Sequence, residues 1–128
     1  MIKLLEKYSK ISWAFVVAIA LIIFFISSLT FAPSKPFGFS KAVFYHFFAF
    51  FFLAFFLLPA LVKGKKKNLI FIAIILAVLY GISDEIHQLF VPGRAFAISD
   101  ILTDSAGIFL ASFLYVLKLR RKQNRKNK

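Results

Sequence analysis

Residues 42–62, AVFYHFFAFFFLAFFLLPALV, run for twenty-one positions without one Asp, Glu, Lys or Arg, and eight of them are Phe. As a helix, a stretch of that length crosses the roughly 30 Å hydrocarbon core of a bilayer once. Three further stretches of similar character surround it: residues 11–32, with Trp13 as an interfacial anchor near the start, residues 69–90 and residues 101–119. Pro33 and Pro36-Phe37-Gly38 separate the first two, the lysine-rich segment 63–68 the next pair, and Pro92-Gly93 the last. The pattern predicts an all-α fold, an integral membrane bundle of four transmembrane helices.

Composition agrees with that reading. The chain has 128 residues, one domain's worth, and is 61% hydrophobic with 19 Phe. Soluble domains are about 45–50% apolar, and a small one buries only about two-thirds of the surface its unfolded chain exposes. A net charge of +12 suggests nucleic acid in a soluble protein, but here the cations sit in short clusters between apolar runs. That arrangement belongs to loops beside an anionic leaflet, so the expected partners are membrane lipids and not nucleic acid. With no cysteine, disulfides, thiolate metal sites and cysteine nucleophiles are excluded.

Lys3, Lys7 and Lys10 precede the first span, as in a signal peptide, but its apolar run is about 20 residues against the 7–15 of a signal sequence. The best small-residue cleavage site, Thr30-Phe31-Ala32, is followed directly by Pro33, so the segment is expected to stay as a membrane helix. Three cations lie before it, four in the middle loop (Lys63, Lys65, Lys66, Lys67) and seven in the basic tail, residues 118–128. Lys35, Lys41 and Arg94 fall on the other side. Fourteen against three predicts both termini in the cytoplasm of a multi-pass cell-membrane protein.

By that topology His46, Asp84, Glu85, His87, Asp100 and Asp104 all lie near the outer ends of spans two to four. A charged side chain at mid-membrane costs about 2.5–3.5 kcal/mol on insertion scales, so a convergence of six titratable groups needs a reason. Helical spacing predicts that Tyr80, Asp84, His87 and Gln88 share one face of span three, with Gly81 at its edge. Asp100, Asp104, Gly107 and Ala111 share one face of span four. Val91-Pro92-Gly93-Arg94 reads as a type II turn joining the two spans as a hairpin, its Arg94 over the polar faces. Structural readings stand beside these. Asp100 and Asp104 suit a helix start, where carboxylates cap free N–H groups and complement the dipole. Arg94 suits an ion pair with Glu85 or Asp100, His46 an interfacial position, and the Phe of span two lipid-facing bulk.

From Ser83-Asp84-Glu85-Ile86-His87-Gln88 through Val91-Pro92-Gly93-Arg94 to Ser99-Asp100, Asp104 and Gly107, and back to Tyr45-His46, the chain resembles the VanZ-like family of small bacterial membrane proteins. The matching elements run from His46 to Gly107, about half the chain, and Asp104 stands where the family often carries asparagine. The resemblance implies a polar site at His46, Asp84, Glu85, His87, Gln88, Arg94 and Asp100, with no assigned chemistry. It also implies a link to resistance to the lipoglycopeptide teicoplanin.

Two function classes follow. In the first, the outer cluster, Asp104 included, recognises a lipid headgroup, a lipid-linked wall precursor or a lipoglycopeptide, with Arg94 on phosphate or carboxylate. In the second, the protein is a metal-dependent lipid hydrolase or transferase. His46, Asp84, His87 and Asp100 would hold a divalent metal, with Asp84, Glu85 and His87 as candidate catalytic groups. The sequence itself requires no cofactor. Transport fits less well, since four spans enclose no pathway without a homo-oligomer and the charges lie at one mouth, away from the midplane.

Overall fold

A computed structural model describes residues 1–30 and 39–125, with Phe39 and Ser40 described for the backbone alone. Among the described residues the chain is all helix and turn: α1 Ile2–Lys7, α2 Ser9–Ser27, α3 Phe39–Val62, α4 Leu69–Gln88 and α5 Ile98–Asn124. Segments Ser9–Ser27, Lys41–Val62, Leu69–Gln88 and Ile98–Asn124 are each long and apolar enough to cross a membrane, which bears out the four expected spans. The end of the first expected span, the loop holding Pro33, Lys35 and Pro36, and the last three tail residues lie outside the described residues.

Three boundaries differ from the apolar pattern. The residues before the first span form their own short helix, α1, closed at Tyr8 by a non-helical backbone (φ −104°, ψ 59°). The Ser12 hydroxyl donates to the Leu5 carbonyl across that break. α4 stops at Gln88, and Leu89 and Phe90 enter the turn to α5. α5 continues to Asn124, five residues past the expected end, because Arg120, Arg121, Lys122 and Gln123 are good helix formers with no Gly or Pro among them. At 1.5 Å per residue its 27 residues run about 40 Å, roughly 10 Å more than the thickness of a hydrocarbon core.

α3 is the central helix and packs against all four others. Its Phe50, Leu53, Leu57, Leu58 and Val62 are buried with Ile23 of α2, Ala73 and Ala77 of α4, and Ile108 and Ala111 of α5. This corrects the expectation of lipid-facing bulk at one Phe of span two. Phe44, Phe48 and Phe52 do face outward, but Phe50 is fully buried. A helix that is apolar all round carries no pattern to separate a lipid-facing side from a protein-facing one. α5 meets α3 through Gly107, where an added Cβ would run into the Phe47 carbonyl oxygen, so glycine sets how closely the two backbones approach. The α4–α5 turn is as expected, with Gly93 at φ +80° and the Arg94 N–H bonded to the Val91 carbonyl at 3.1 Å.

At the end of the bundle away from His46, Glu6 of α1 accepts hydrogen bonds from Tyr115 (3.0 Å) and Lys118 (2.7 Å) of α5. The Gly64 N–H donates to the same Tyr115 hydroxyl, and this ties the middle loop to α1 and α5.

Candidate functional site

The ends of α2 and α4 and the starts of α3 and α5 meet at the other end of the bundle. His46, in the second turn of α3, is 4% exposed, and its two ring nitrogens face two carboxylates of α5. Nδ1 lies 3.0 Å from Asp104 Oδ1, and Nε2 lies 3.5 Å from Asp100 Oδ2. Asp104 belongs to the second turn of α5 and Asp100 to the first, so the helical repeat presents both to one imidazole. The helix-start expectation is corrected in part. The N-cap of α5 is Ala97, with no side-chain cap, and Asp104 is spent on His46. Asp100 does sit in the first turn, where a carboxylate complements the dipole.

Glu85 of α4 closes the third side and is fully buried. Its Oε2 accepts from the Ala97 N–H at 3.0 Å, which satisfies a donor at the start of α5. Its Oε1 accepts from the Gln88 amide at 3.1 Å, and the same amide donates to Asp84 Oδ2. These bonds hold Glu85 in place. Donor atoms of His46, Glu85 and Asp100 all lie within 4.8 Å of one another. Gly81 gives Asp104 room on α4: a Cβ there would stand 3.2 Å from Asp104 Oδ2.

The expected polar face of α4 is therefore split. Gly81, Glu85 and Gln88, which recur at i, i+4 and i+7, point to α3 and α5. Tyr80 and His87 turn to α2. The Tyr80 hydroxyl donates to the Ala20 carbonyl at 2.7 Å. His87 Nε2 lies 3.0 Å from Ser28 Oγ, its ring against Phe24. Asp84 sits between the two stripes. Thus the metal set read from the sequence, His46, Asp84, His87 and Asp100, is not brought together. His46 and Asp100 meet, Glu85 joins them, and His87 lies on the far stripe. Two adjacent stripes of one helix have equally good spacing, so periodicity alone does not say which one turns inward.

Two further groups belong to this end. The Tyr45 hydroxyl is buried without a hydrogen-bond partner, as is Asp104 Oδ2. Half-buried Arg94, from the α4–α5 turn, and Asp84 lie within electrostatic reach of that hydroxyl. Tyr45 also lines, through its ring, an apolar cavity of about 510 Å³ between α2 and α3, walled by Ile19, Ile22, Phe44, Phe48 and Phe52. Sequence reasoning placed Tyr45 in the motif but gave it no role, and it missed Ser28. A tyrosine beside a site histidine was the available signal for the first. The second had none, because its partner lies 59 residues away.

A family model described as VanZ/LLP1 matches residues 6–119, which takes in the first three spans, most of the fourth and every residue of the cluster. The chain belongs to the VanZ/LLP1 family. It is a VanZ-like membrane protein, with His46, Asp84, Glu85 and Asp104 of that motif buried in the bundle and His87 and Asp100 partly buried. No curated protein and no solved structure matches it.

Proposed function

We propose that this VanZ-like protein recognises an amphiphile at the outer leaflet of the cell membrane: a lipid headgroup, a lipid-linked wall precursor or a lipoglycopeptide of the teicoplanin type. Tyr45 carries the reading. Its ring walls a cavity of apolar side chains, and its buried hydroxyl lacks a partner beside Arg94 and Asp84. A ligand with a hydrocarbon tail and a polar head has that same division. The tail lies against Ile19, Ile22, Phe48 and Phe52, where side-chain packing holds it in apolar surroundings. The head meets the Tyr45 hydroxyl and the Arg94 guanidinium, whose planar fork suits phosphate or carboxylate.

The distribution of cations supports both termini in the cytoplasm, with the cluster facing outward. Wall precursors and the antibiotic are both met on that side. The test is teicoplanin and vancomycin susceptibility in a Gram-positive host that expresses the protein or its Tyr45→Phe and Arg94→Lys variants. The reading expects tolerance to teicoplanin alone, reduced in both variants. Wild-type expression in the membrane with unchanged susceptibility would remove the antibiotic from the ligand class.

A further inference from the structure

We infer that His46, Glu85 and Asp100 bind one divalent transition-metal ion, manganese or zinc. One nitrogen and two carboxylate donors from three different helices stand within 4.8 Å of one another, a mixed set of the kind these ions accept. The geometry of His46 is specific. Asp104, when ionised, only accepts hydrogen bonds, so the contact at 3.0 Å puts the imidazole proton on Nδ1. Nε2 then presents a lone pair toward Asp100 Oδ2, itself an acceptor, 3.5 Å away. A metal ion about 2.0–2.2 Å from each atom fits that separation.

A proton on His46 is the other candidate cation, but the donor set of one imidazole and two carboxylates, Glu85 and Asp100, suits a divalent ion. The surrounding bonds match what metal sites need beyond the ligands themselves. Asp104 fixes the ring of His46, and Gln88 with the Ala97 N–H fixes Glu85. Asp104 Oδ2, buried without a partner, gains from a positive charge on the ring it orients. Three protein ligands leave a position open. Through it the ion would give an acidic site the charge that a phosphate headgroup requires. That last role rests on the recognition reading above, while the ion itself does not.

The experiment is a Mn2+ titration of the full chain in nanodiscs of zwitterionic lipid, followed by electron paramagnetic resonance. One saturable ion per chain is expected, with hyperfine coupling to nitrogen. His46→Ala should abolish the coupling, and Glu85→Gln should weaken binding strongly. Asp104→Asn should weaken it about 10- to 100-fold, as loss of an outer-shell partner does. His87→Ala should leave it unchanged. If His46→Ala does not fold, Glu85→Gln, which keeps the side-chain volume, and the wild-type coupling decide. Absent saturable binding, or equal binding in wild type and Glu85→Gln, overturns the site. Adding a polyprenyl phosphate separates the two readings. Mn2+ binding without lipid binding keeps the ion and removes the recognition, and lipid binding indifferent to chelator does the reverse.

Discussion

His46 Nδ1 lies 3.0 Å from Asp104 Oδ1, a contact that joins α3 to α5 between two side chains that are 4% and 1% exposed. Removing one partner of such a pair strands the other in a dry interior, which typically costs about 3–5 kcal/mol. His46→Leu should therefore destabilise the bundle by roughly that amount. The double variant His46→Leu with Asp104→Leu should lose less than the single one, because no carboxylate is left stranded. Unfolding midpoints in detergent measure both, and equal or greater loss in the double variant contradicts the account.

Gly107 sets the approach of α5 to α3. Gly107→Ala drives a Cβ into the Phe47 carbonyl, a backbone atom that moves only with its helix. A loss of about 1–3 kcal/mol is expected, as for overpacking in a well-filled core. Gly81→Ala meets the side chains of Asp104 and Phe50 at 3.2 Å, and these can shift. It should cost less than Gly107→Ala in the same unfolding assay.

The absence of cysteine makes orientation measurable with single introduced cysteines. Ala95 lies exposed in the α4–α5 turn, and Lys66 lies exposed in the middle loop. An impermeant maleimide added to intact cells should label Ala95→Cys and spare Lys66→Cys until the membrane is opened. The opposite pattern would turn the site inward and end the outer-leaflet reading.

How much of this was legible in the sequence depended on the length scale. Four spans, the α4–α5 turn and the small-residue face of α5 followed from apolar runs, Pro-Gly chemistry and helical spacing, all local. The central position of α3 did not, since Phe in residues 42–62 reads alike whether it meets lipid or protein. The site was legible as a set of residues but not as a geometry. His46 and Asp104 are 58 positions apart, and their pairing depends on the Gly107 contact that brings α3 and α5 together. Tyr80 and His87 had the right period and turned to α2, because the Ala20 carbonyl of α2 and Ser28 just after it supply their partners.

His87 accordingly separates structure from recognition. His87→Ala removes the contact with Ser28 and Phe24, and about 1 kcal/mol of stability with it. It should leave ligand affinity within a factor of about two, since a shift that small corresponds to under 0.5 kcal/mol. Unfolding and binding measured on the same preparation check both numbers.

Recognition of an amphiphile through Tyr45 and Arg94 is tested most directly by equilibrium binding of a lipid-linked wall precursor to the protein in nanodiscs. Saturable binding is expected for the wild type. It should weaken about 10- to 100-fold in Tyr45→Phe, the range for a hydrogen bond to a charged group, and at least as much in Arg94→Lys. Affinity that is unchanged in both variants, with the protein folded, would contradict the account.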